Sequence, residues 1–134
     1  MPCREEETSV FWIETDLELA DAVASWDNCV GLDTEFIRTD TFYPIPGLYQ
    51  VASADQVFLI DPLTIEDWQP FSTFLMDPKT LIVMHACQED LEMLNHHLKV
   101  QPTSVVDTQF AHAFTGVDYS PVSYTHLRAH ETRI

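Results

Sequence analysis

The fold of this chain depends on the stretch Val30-Gly31-Leu32-Asp33-Thr34-Glu35-Phe36. An apolar run leads there into two carboxylates that are separated by one residue. In a β-strand successive side chains alternate between faces, so Asp33 and Glu35 would project from the same face, about 6.6 Å apart along the strand. Two carboxylates placed in this way can share hard divalent cations, which prefer oxygen ligands. The alternative interpretation is a strand that runs out into a polar loop, and an isolated Asp-x-Glu favours it.

Length and composition predict one globular domain that is strongly acidic. The chain has 134 residues, of which 46% are hydrophobic, and this is enough to bury a core. Six Lys and Arg residues stand against 22 acidic residues, which gives a net charge of −16. A protein that tracks phosphates usually carries a basic face. The charge therefore argues against tight unaided binding of nucleic acid, but not against metal-mediated chemistry on a phosphate.

The sequence contains no signal for a membrane or for an oxidising compartment. No apolar run approaches the length of a membrane span. Residues 1–7 lack the basic and apolar regions of a signal peptide. Three widely spaced cysteines form neither a disulfide framework nor a zinc site. We therefore predict a cytoplasmic protein.

Hydrophobic periodicity and turn signals predict a mixed α/β fold. The predicted strands span residues 10–14, 29–36, 48–53, 57–60, 81–86 and 104–107, and the predicted helices span residues 15–28, 65–76, 88–98 and 108–114. Residues 37–47 contain two prolines and a glycine and are predicted to form a loop. The third and fourth strands are joined by so short a turn that they must be antiparallel. Strands that alternate with helices follow, which predicts a mixed sheet with helices packed on it.

A second polar cluster follows the fifth predicted strand, in His85-Ala86-Cys87-Gln88-Glu89-Asp90. The carboxyl ends of strands in open sheets are common ligand sites. At about 100° per residue, three leucines define the apolar face of the next helix: Leu91, Leu94 and Leu98. Asp90 falls at the margin of this face and could look toward the two carboxylates of the first stretch. Glu89 points nearly opposite the face, toward solvent.

Each of these residues also has a purely structural interpretation. Asp90 can be a first-turn acid that the helix dipole favours, and His85 can make a routine hydrogen bond at a strand end. His96-His97 and His126-x-x-x-His130 have spacings that suggest metal ligands, but no third ligand is evident, so we interpret both pairs as solvated. Asp107 is interpreted as a helix cap.

Six blocks of sequence, taken together, resemble ribonuclease D, a member of the DEDD 3′–5′ exonucleases with their ribonuclease H-like sheet. In chain order the blocks are Asp33-Thr34-Glu35-Phe36, aromatic-Tyr43-Pro44, Gly47-Leu48-x-Gln50, Leu59-Ile60-Asp61-Pro62, His85-Ala86-x-x-Glu89-Asp90-Leu91 and Asp107-Thr108-Gln109. The resemblance implies a partial 3′–5′ exonuclease domain over residues 8–122. Its implied fold is α/β, a ribonuclease H-like mixed sheet with an antiparallel meander and parallel strands, flanked by helices and truncated.

The resemblance also implies a site and a reaction. Asp33, Glu35 and Asp90 match the first two exonuclease motifs and would be the catalytic residues that hold two Mg²⁺ or Mn²⁺ ions. The residues expected to receive the terminal nucleotide are Thr34, Phe36 and His85. Two ions about 3.5–4 Å apart can activate a water and stabilise the attacking and leaving oxygens of an in-line displacement. The implied substrates are RNA 3′ ends, single-stranded or in tRNA precursors, with no membrane and no obligate protein partner.

One departure from the family concerns its third motif, a Tyr followed four residues later by an Asp. This motif is absent, since Tyr124 is followed four residues later by Arg128. We therefore interpret the chain as the amino-terminal part of a catalytic domain with little or no activity alone, exposed core surface and marginal stability. Residues 123–134 are interpreted as an atypical tail, foreign to the domain or misread. The alternative function is a noncatalytic nucleic-acid-binding or interaction module on the same fold, although such a module has no use for three converging carboxylates.

Overall fold

A computed structural model describes residues 7–38 and 43–114, which form a six-stranded sheet and four helices. The strands are β1 (Ser9–Ile13), β2 (Cys29–Ile37), β3 (Ile45–Ser53), β4 (Gln56–Ile60), β5 (Leu81–Met84) and β6 (Val105–Asp107). The helices are α1 (Asp16–Ser25), α2 (Gln69–Met76), α3 (Gln88–Leu98) and α4 (Thr108–Phe114). Every element that the sequence predicted is present, in the predicted order.

The sheet is mixed, as predicted, and its strand order is β1-β4-β3-β2-β5-β6. The strands β2, β3 and β4 form an antiparallel meander. β1 runs parallel to β4, and β5 and β6 run parallel to β2. The meander places β2 in the middle of the sheet, so its carboxyl end is flanked by β3 on one side and by the end of β5 on the other.

The core lies between one face of the sheet and the helices α1, α2 and α3, whose apolar residues join alternate strand residues in a single buried cluster. On β2 the residues that face the core are Val30, Leu32 and Thr34, which are 2%, 4% and 5% exposed. Because side chains alternate along a strand, Asp33 and Glu35 point to the opposite face. The fold therefore separates an apolar face of β2 from the face that carries its two acids.

Local signals set the helix boundaries. Thr15 caps α1: its hydroxyl oxygen accepts from the Glu18 N–H at 3.2 Å, and the hydroxyl donates to the Glu18 carboxylate at 2.9 Å. α2 begins at Gln69, later than the predicted residue 65. Pro70 lies in its first turn, where a missing N–H costs no hydrogen bond. Ile65 precedes the helix and is buried in the core.

β3 begins earlier than predicted and includes residues 45–47, which were expected to lie in a loop. Its register against β2 shifts between Glu35 and Phe36. Gly47 is therefore the extra residue of a β-bulge, and Pro46 pairs with Phe36. Proline has no N–H to donate and is tolerated in sheets at bulges. The proline and glycine thus mark a bulge, and this bulge lies directly beyond the second acid of β2.

Several sequence predictions concern residues outside the described ones. These are the histidine pair His126 and His130, and the tail that begins at residue 123. Among the residues that the structure describes, no helix has the length and apolar character needed to cross a membrane.

Candidate active site

A cleft of about 760 Å³ opens on the sheet face opposite the core, near the ends of β2 and β5. Its sheet residues are small or apolar, apart from one amide: Gly31, Gln50, Ala52, Val57 and Val83. Its polar end carries the acids and their neighbours: Asp33, Thr34, Glu35, Phe36, His85, Glu89, Asp90 and Thr108. The structure therefore brings the six residues that the sequence assigned to a site into one cleft.

β2 presents Asp33 and Glu35 to this cleft from a single face, as the strand geometry predicted. Both side chains are exposed. Asp33 Oδ1 accepts a hydrogen bond from the Thr34 N–H at 2.9 Å. The backbone bulge follows immediately after Glu35. Both carboxylates are thus accessible to a solute in the cleft.

Asp90 reaches the same strand from the helical side. β5 pairs with β2 only as far as Gly31, so beyond this residue the edge of β2 is open to the first turn of α3. Asp90 is 8% exposed and accepts a hydrogen bond through Oδ1 from the Thr34 hydroxyl. The acids therefore approach the end of β2 from two sides, Asp33 and Glu35 from the cleft face and Asp90 from the core face.

Burial raises the pKa of Asp90 from 3.8 to about 6. The hydrogen bond from Thr34 opposes this rise, whereas the negative charges of Asp33 and Glu89 add to it. A carboxylate that is costly to ionise in the protein alone gains strongly from a cation placed beside it. The electrostatics of the cleft therefore favour a bound divalent cation.

Glu89 is exposed to solvent as predicted, but it also lines the cleft, from which the helical periodicity had set it apart. The buried residues of α3 are Asp90, Met93 and Leu94, whereas Leu91 is only partly buried. The buried face is therefore rotated toward Asp90, which lies within it and not at its margin. Glu89 precedes Asp90 by one residue, is exposed and lines the cleft. The leucine pattern misled because it omitted Met93, which is fully buried.

The donor atoms in the cleft suit a hard divalent cation, since carboxylate oxygens are its preferred ligands. Within residues 7–38 and 43–114, however, no three His, Cys, Asp or Glu side chains converge closely enough to ligate one ion. One Asp90 oxygen is occupied by Thr34. The second oxygen of the Asp90 carboxylate makes no hydrogen bond to the Thr34 hydroxyl and could ligate an ion. The three acids share a cleft, but their side chains do not form a closed ligand set.

Thr108 fixes His85 beside the acids. The Thr108 hydroxyl lies 2.8 Å from His85 Nδ1 and 3.2 Å from the Met84 carbonyl oxygen. The contact through Nδ1 leaves Nε2 as the ring nitrogen that Thr108 does not engage. Phe36 is partly buried against the core and also lines the cleft. The sequence-based role of both residues in receiving a nucleotide stays a prediction.

Asp107 holds the turn between β5 and α3, a role that its interpretation as a helix cap did not include. Its Oδ1 accepts from the N–H groups of Ala86 and Gln109, each at 2.9 Å, and its Oδ2 accepts from the Cys87 N–H at 3.0 Å. Ala86 has a φ of 50°, a left-handed conformation that costs a non-glycine residue roughly 1–2 kcal/mol. The carboxylate thus caps α4 as predicted, and it also stabilises the strained turn that directs Asp90 at β2.

The charge state of Asp107 follows from these hydrogen bonds. Burial alone would raise the pKa of Asp107, but the N–H groups of Cys87, Gln109 and Ala86 outweigh it, so the pKa lies below 3.8. Burial raises the pKa of Cys87 to about 11, and the hydrogen bond and charge of Asp107 add to the rise. The Cys87 thiol is therefore protonated at neutral pH and is a poor nucleophile.

The interpretation of His96-His97 as solvated is wrong for His97. The hydroxyl of Tyr49, a fully buried residue, lies 2.6 Å from His97 Nδ1. Burial lowers the pKa of His97, with a further contribution from His96, and burial raises the pKa of Tyr49. The phenol is therefore the donor and the neutral imidazole is the acceptor. This bond ties the last turn of α3 to β3 and so holds the helix that carries Asp90.

Comparison with known proteins identifies relatives of this arrangement. The family model described as 3′–5′ exonuclease matches residues 10–133. Ribonuclease D of Pseudomonas paraeruginosa (strain DSM 24068 / PA7) is 44% identical over 111 residues, which are 81% of this chain and 30% of that protein. Ribonuclease D of Escherichia coli (strain K12) is 42% identical over 98 residues, which are 73% of this chain and 26% of that protein. The chain thus spans less than a third of the length of these two relatives.

Solved structures give the same result. The chain superposes on Escherichia coli RNase D, described as an exoribonuclease involved in structured RNA processing, with a TM-score of 0.73 and 35% identity, over 92% of this chain and 36% of that one. Trypanosoma brucei RNase D in complex with RNA U12 gives a TM-score of 0.69 and 28% identity, over 78% of this chain and 39% of that one. These matches confirm the fold that was assigned from the sequence.

Proposed function

This chain belongs to the ribonuclease D-like 3′–5′ exonucleases, and we propose that, within its complete protein, it removes nucleotides from RNA 3′ ends by metal-dependent hydrolysis. Asp33, Glu35 and Asp90 would be the ligands of two Mg²⁺ or Mn²⁺ ions. The observation that carries this proposal is the single cleft that all three acids line, near the end of β2. The RNA bound to the Trypanosoma brucei relative supports RNA as the substrate class.

The residues of the cleft would have different tasks. When bound, the two ions would supply the activated water and the stabilisation of the attacking and leaving oxygens. Asp33 and Glu35 offer accessible oxygens on one face of β2. Asp90 adds a partly desolvated carboxylate, whose ionised form a bound cation would stabilise. His85 Nε2 could form a hydrogen bond with a ribose hydroxyl, and Phe36 would offer apolar surface to the terminal base.

The acidic composition of the chain is consistent with a site in which metal ions, and not basic side chains, neutralise the phosphate. The residues that line the cleft include no Lys or Arg, among the residues that the structure describes. A terminal phosphate would therefore be neutralised by the ions and not by side chains. Removal of divalent metal should for this reason abolish binding of a nucleoside monophosphate to the cleft, and not only its hydrolysis.

The missing third motif bears on the activity of the chain as it stands. A Tyr with an Asp four residues later does not occur in the 134 residues. In the family this motif supplies the residue that orients the nucleophile and a fourth metal-binding acid. We propose that both come from sequence beyond this chain, and that the 134 residues alone have little or no activity.

The decisive experiment measures nuclease activity of the complete protein, or of this chain extended through a downstream Tyr-x-x-x-Asp segment. Single-stranded RNA labelled at its 5′ end should be shortened one nucleotide at a time in Mg²⁺ or Mn²⁺, with release of nucleoside monophosphates. Asp33→Asn and Asp90→Asn should each reduce kcat by about 100-fold or more, because each removes a proposed metal ligand. The matched control is Glu89→Gln, a neighbouring acid of the same cleft, and its effect should be much smaller.

Three results would each contradict a part of the proposal. Undiminished activity in Asp33→Asn would exclude the metal role of that residue. Metal-dependent RNA binding without any hydrolysis, in a chain with the third motif restored, would favour the noncatalytic module. Equal losses in Glu89→Gln and Asp90→Asn would show that the assignment of the second motif to Asp90 alone is wrong.

A further inference from the structure

A second surface lies beside the cleft, at the other end of α3. It is a groove of about 460 Å³ lined by an aromatic ring, two prolines, an isoleucine and two histidines: Tyr43, Pro44, Ile45, Pro46, His96 and His97. The rings of Tyr43 and His96 are stacked, with centroids 3.9 Å apart and planes within 4° of parallel. Tyr43 remains 54% exposed in this stack. The groove therefore presents flat aromatic surface to solvent.

The geometry of α3 connects this groove to the cleft. Glu89, Glu92 and His96 are spaced by three and four residues, so they share one outer face of the helix. Glu89 lies in the cleft and His96 in the groove. At 1.5 Å per residue, His96 is about 9 Å beyond Asp90 along the helix axis. A chain that leaves the cleft along this face would thus meet the aromatic stack within a short distance.

A cation lies between the two surfaces. Arg38 follows the end of β2, and its Nη2 is 3.7 Å from a carboxylate oxygen of Glu92 on the outer face of α3. Both side chains are about half exposed, at 43% and 51%. An exposed pair at this distance contributes little, typically below about 1 kcal/mol. The guanidinium has five N–H donors, so this contact leaves it able to bind a phosphate.

We propose that Arg38 and the Tyr43–His96 stack form a subsite for the nucleotide that precedes the 3′-terminal one in single-stranded RNA. Arg38 would contact the phosphate on that side of the cleft, and the base would stack on the aromatic pair. The proposal rests on the proposed function, because it takes the cleft as the position of the terminal nucleotide. It also supplies a source of RNA affinity that the acidic composition otherwise lacks.

The chemistry of the groove favours an unpaired base over other occupants. Every base offers a π-face, and stacking on an aromatic side chain contributes about 1–3 kcal/mol per base, which is about 5- to 150-fold in affinity. The rigid prolines give the groove walls that do not need ordering on binding. A duplex end would not fit this mode, because its bases are already stacked on each other. The subsite therefore selects a single-stranded 3′ end.

The test compares the binding of a short RNA with the binding of a mononucleotide to the same protein. Binding of a fluorescent single-stranded hexaribonucleotide and of a nucleoside 5′-monophosphate would be titrated with Ca²⁺ in place of Mg²⁺, to suppress cleavage. Tyr43→Leu should weaken hexamer binding by about 5- to 100-fold and leave mononucleotide binding unchanged. The separate variant Tyr43→Phe should bind the hexamer about as tightly as the wild type, because it keeps the aromatic ring.

Arg38→Gln has its own readout and a matched control. It should reduce the steepness of the salt dependence of hexamer binding by about 0.7 in log–log slope, the amount expected for one lost phosphate contact on a single strand. Lys79→Gln removes a cation next to the amino end of β5, far from the groove, and should leave this slope unchanged.

The outcomes separate the subsite from the function on which it rests. Equal effects of Tyr43→Leu on the hexamer and the mononucleotide, or no effect on either, would overturn the subsite. An unchanged salt slope in Arg38→Gln would overturn its phosphate contact. Loss of the proposed function would instead appear as mononucleotide binding that is insensitive to metal and to Asp33→Asn, whatever the result with Tyr43.

Discussion

Asp90→Asn should stabilise the metal-free protein at neutral pH, although it removes a proposed catalytic group. The wild-type residue is 8% exposed and must ionise in a site where burial raises its pKa from 3.8 to about 6. Asparagine has nearly the same shape, carries no charge, and can still accept a hydrogen bond from the Thr34 hydroxyl through its amide oxygen. The substitution thus removes the cost of burying a charge and keeps the contact.

The size and pH range of this effect follow from the pKa. A rise from 3.8 to about 6 corresponds to at most about 3 kcal/mol, and screening by solvent at the mouth of the cleft reduces it to about 1–2 kcal/mol. The cost is complete above pH 6, where Asp90 is ionised in the folded and unfolded states. It disappears as the pH falls from about 6 toward 3.8, because the folded state takes up the proton first. The advantage of Asp90→Asn should shrink over the same range.

The assay is equilibrium unfolding in urea with EDTA present, at several values between about pH 4 and pH 8, followed by tryptophan fluorescence. Glu89→Gln is the control, since Glu89 is an exposed neighbour, and its effect should stay below about 0.5 kcal/mol. Mg²⁺ or Mn²⁺ should reduce or reverse the advantage, because a cation stabilises the wild-type carboxylate. A loss of stability in Asp90→Asn near pH 8 in EDTA, or a gain of equal size at both ends of the pH range, would refute the burial argument.

Three further substitutions test the contacts that hold Asp90 and its helix α3 in place. Thr34→Val removes the hydrogen-bond donor to Asp90. It should lower the free energy of unfolding by about 1–3 kcal/mol near pH 8, and by less near pH 4, in the same unfolding assay. Equal losses at both pH values would contradict this expectation. Asp107→Ala should lower the free energy of unfolding by about 2–3 kcal/mol near pH 7. It should also weaken Mn²⁺ binding in a calorimetric titration, because the turn before α3 loses its acceptors. The pKa of the Asp107 carboxyl lies below 3.8, so its contribution in the wild type is present above pH 3.8 and fades below it. Tyr49→Phe should cost about 1–2 kcal/mol in thermal melts, since it leaves His97 Nδ1 without its donor. Because the pKa of His97 is lowered from 6.5, its unfolded state takes up a proton first, so wild-type stability should fall as the pH drops below 6.5; constant stability across that range would exclude a buried neutral imidazole.

Local sequence patterns are sufficient to predict the helices and strands and the pair of acids on β2. Alternation along residues 29–36 places Asp33 and Glu35 on one face because each strand residue points opposite to its neighbours, whatever the sheet around them. The Thr15 cap joins residues three apart in the chain. The length of α3 likewise follows from a periodic pattern that is complete within the helix. Such features depend on near neighbours, and near neighbours are visible in the sequence.

The relative positions of the three acids depend on contacts between distant parts of the chain. The bulge after Glu35 needs a partner strand in a definite register, and the rotation of α3 that buries Asp90 depends on how Met93 packs in the core. The bond from the Ala86 N–H to Asp107 joins residues that are 21 positions apart in the chain. The bond from Tyr49 to His97 joins residues that are 48 positions apart. Periodicity assigns a residue to one side of its own element, but the position of that element is set by side chains that come together only when the sheet closes. For this reason the sequence could name Asp33, Glu35 and Asp90, but not that Asp90 would approach β2 from the opposite face and bind Thr34.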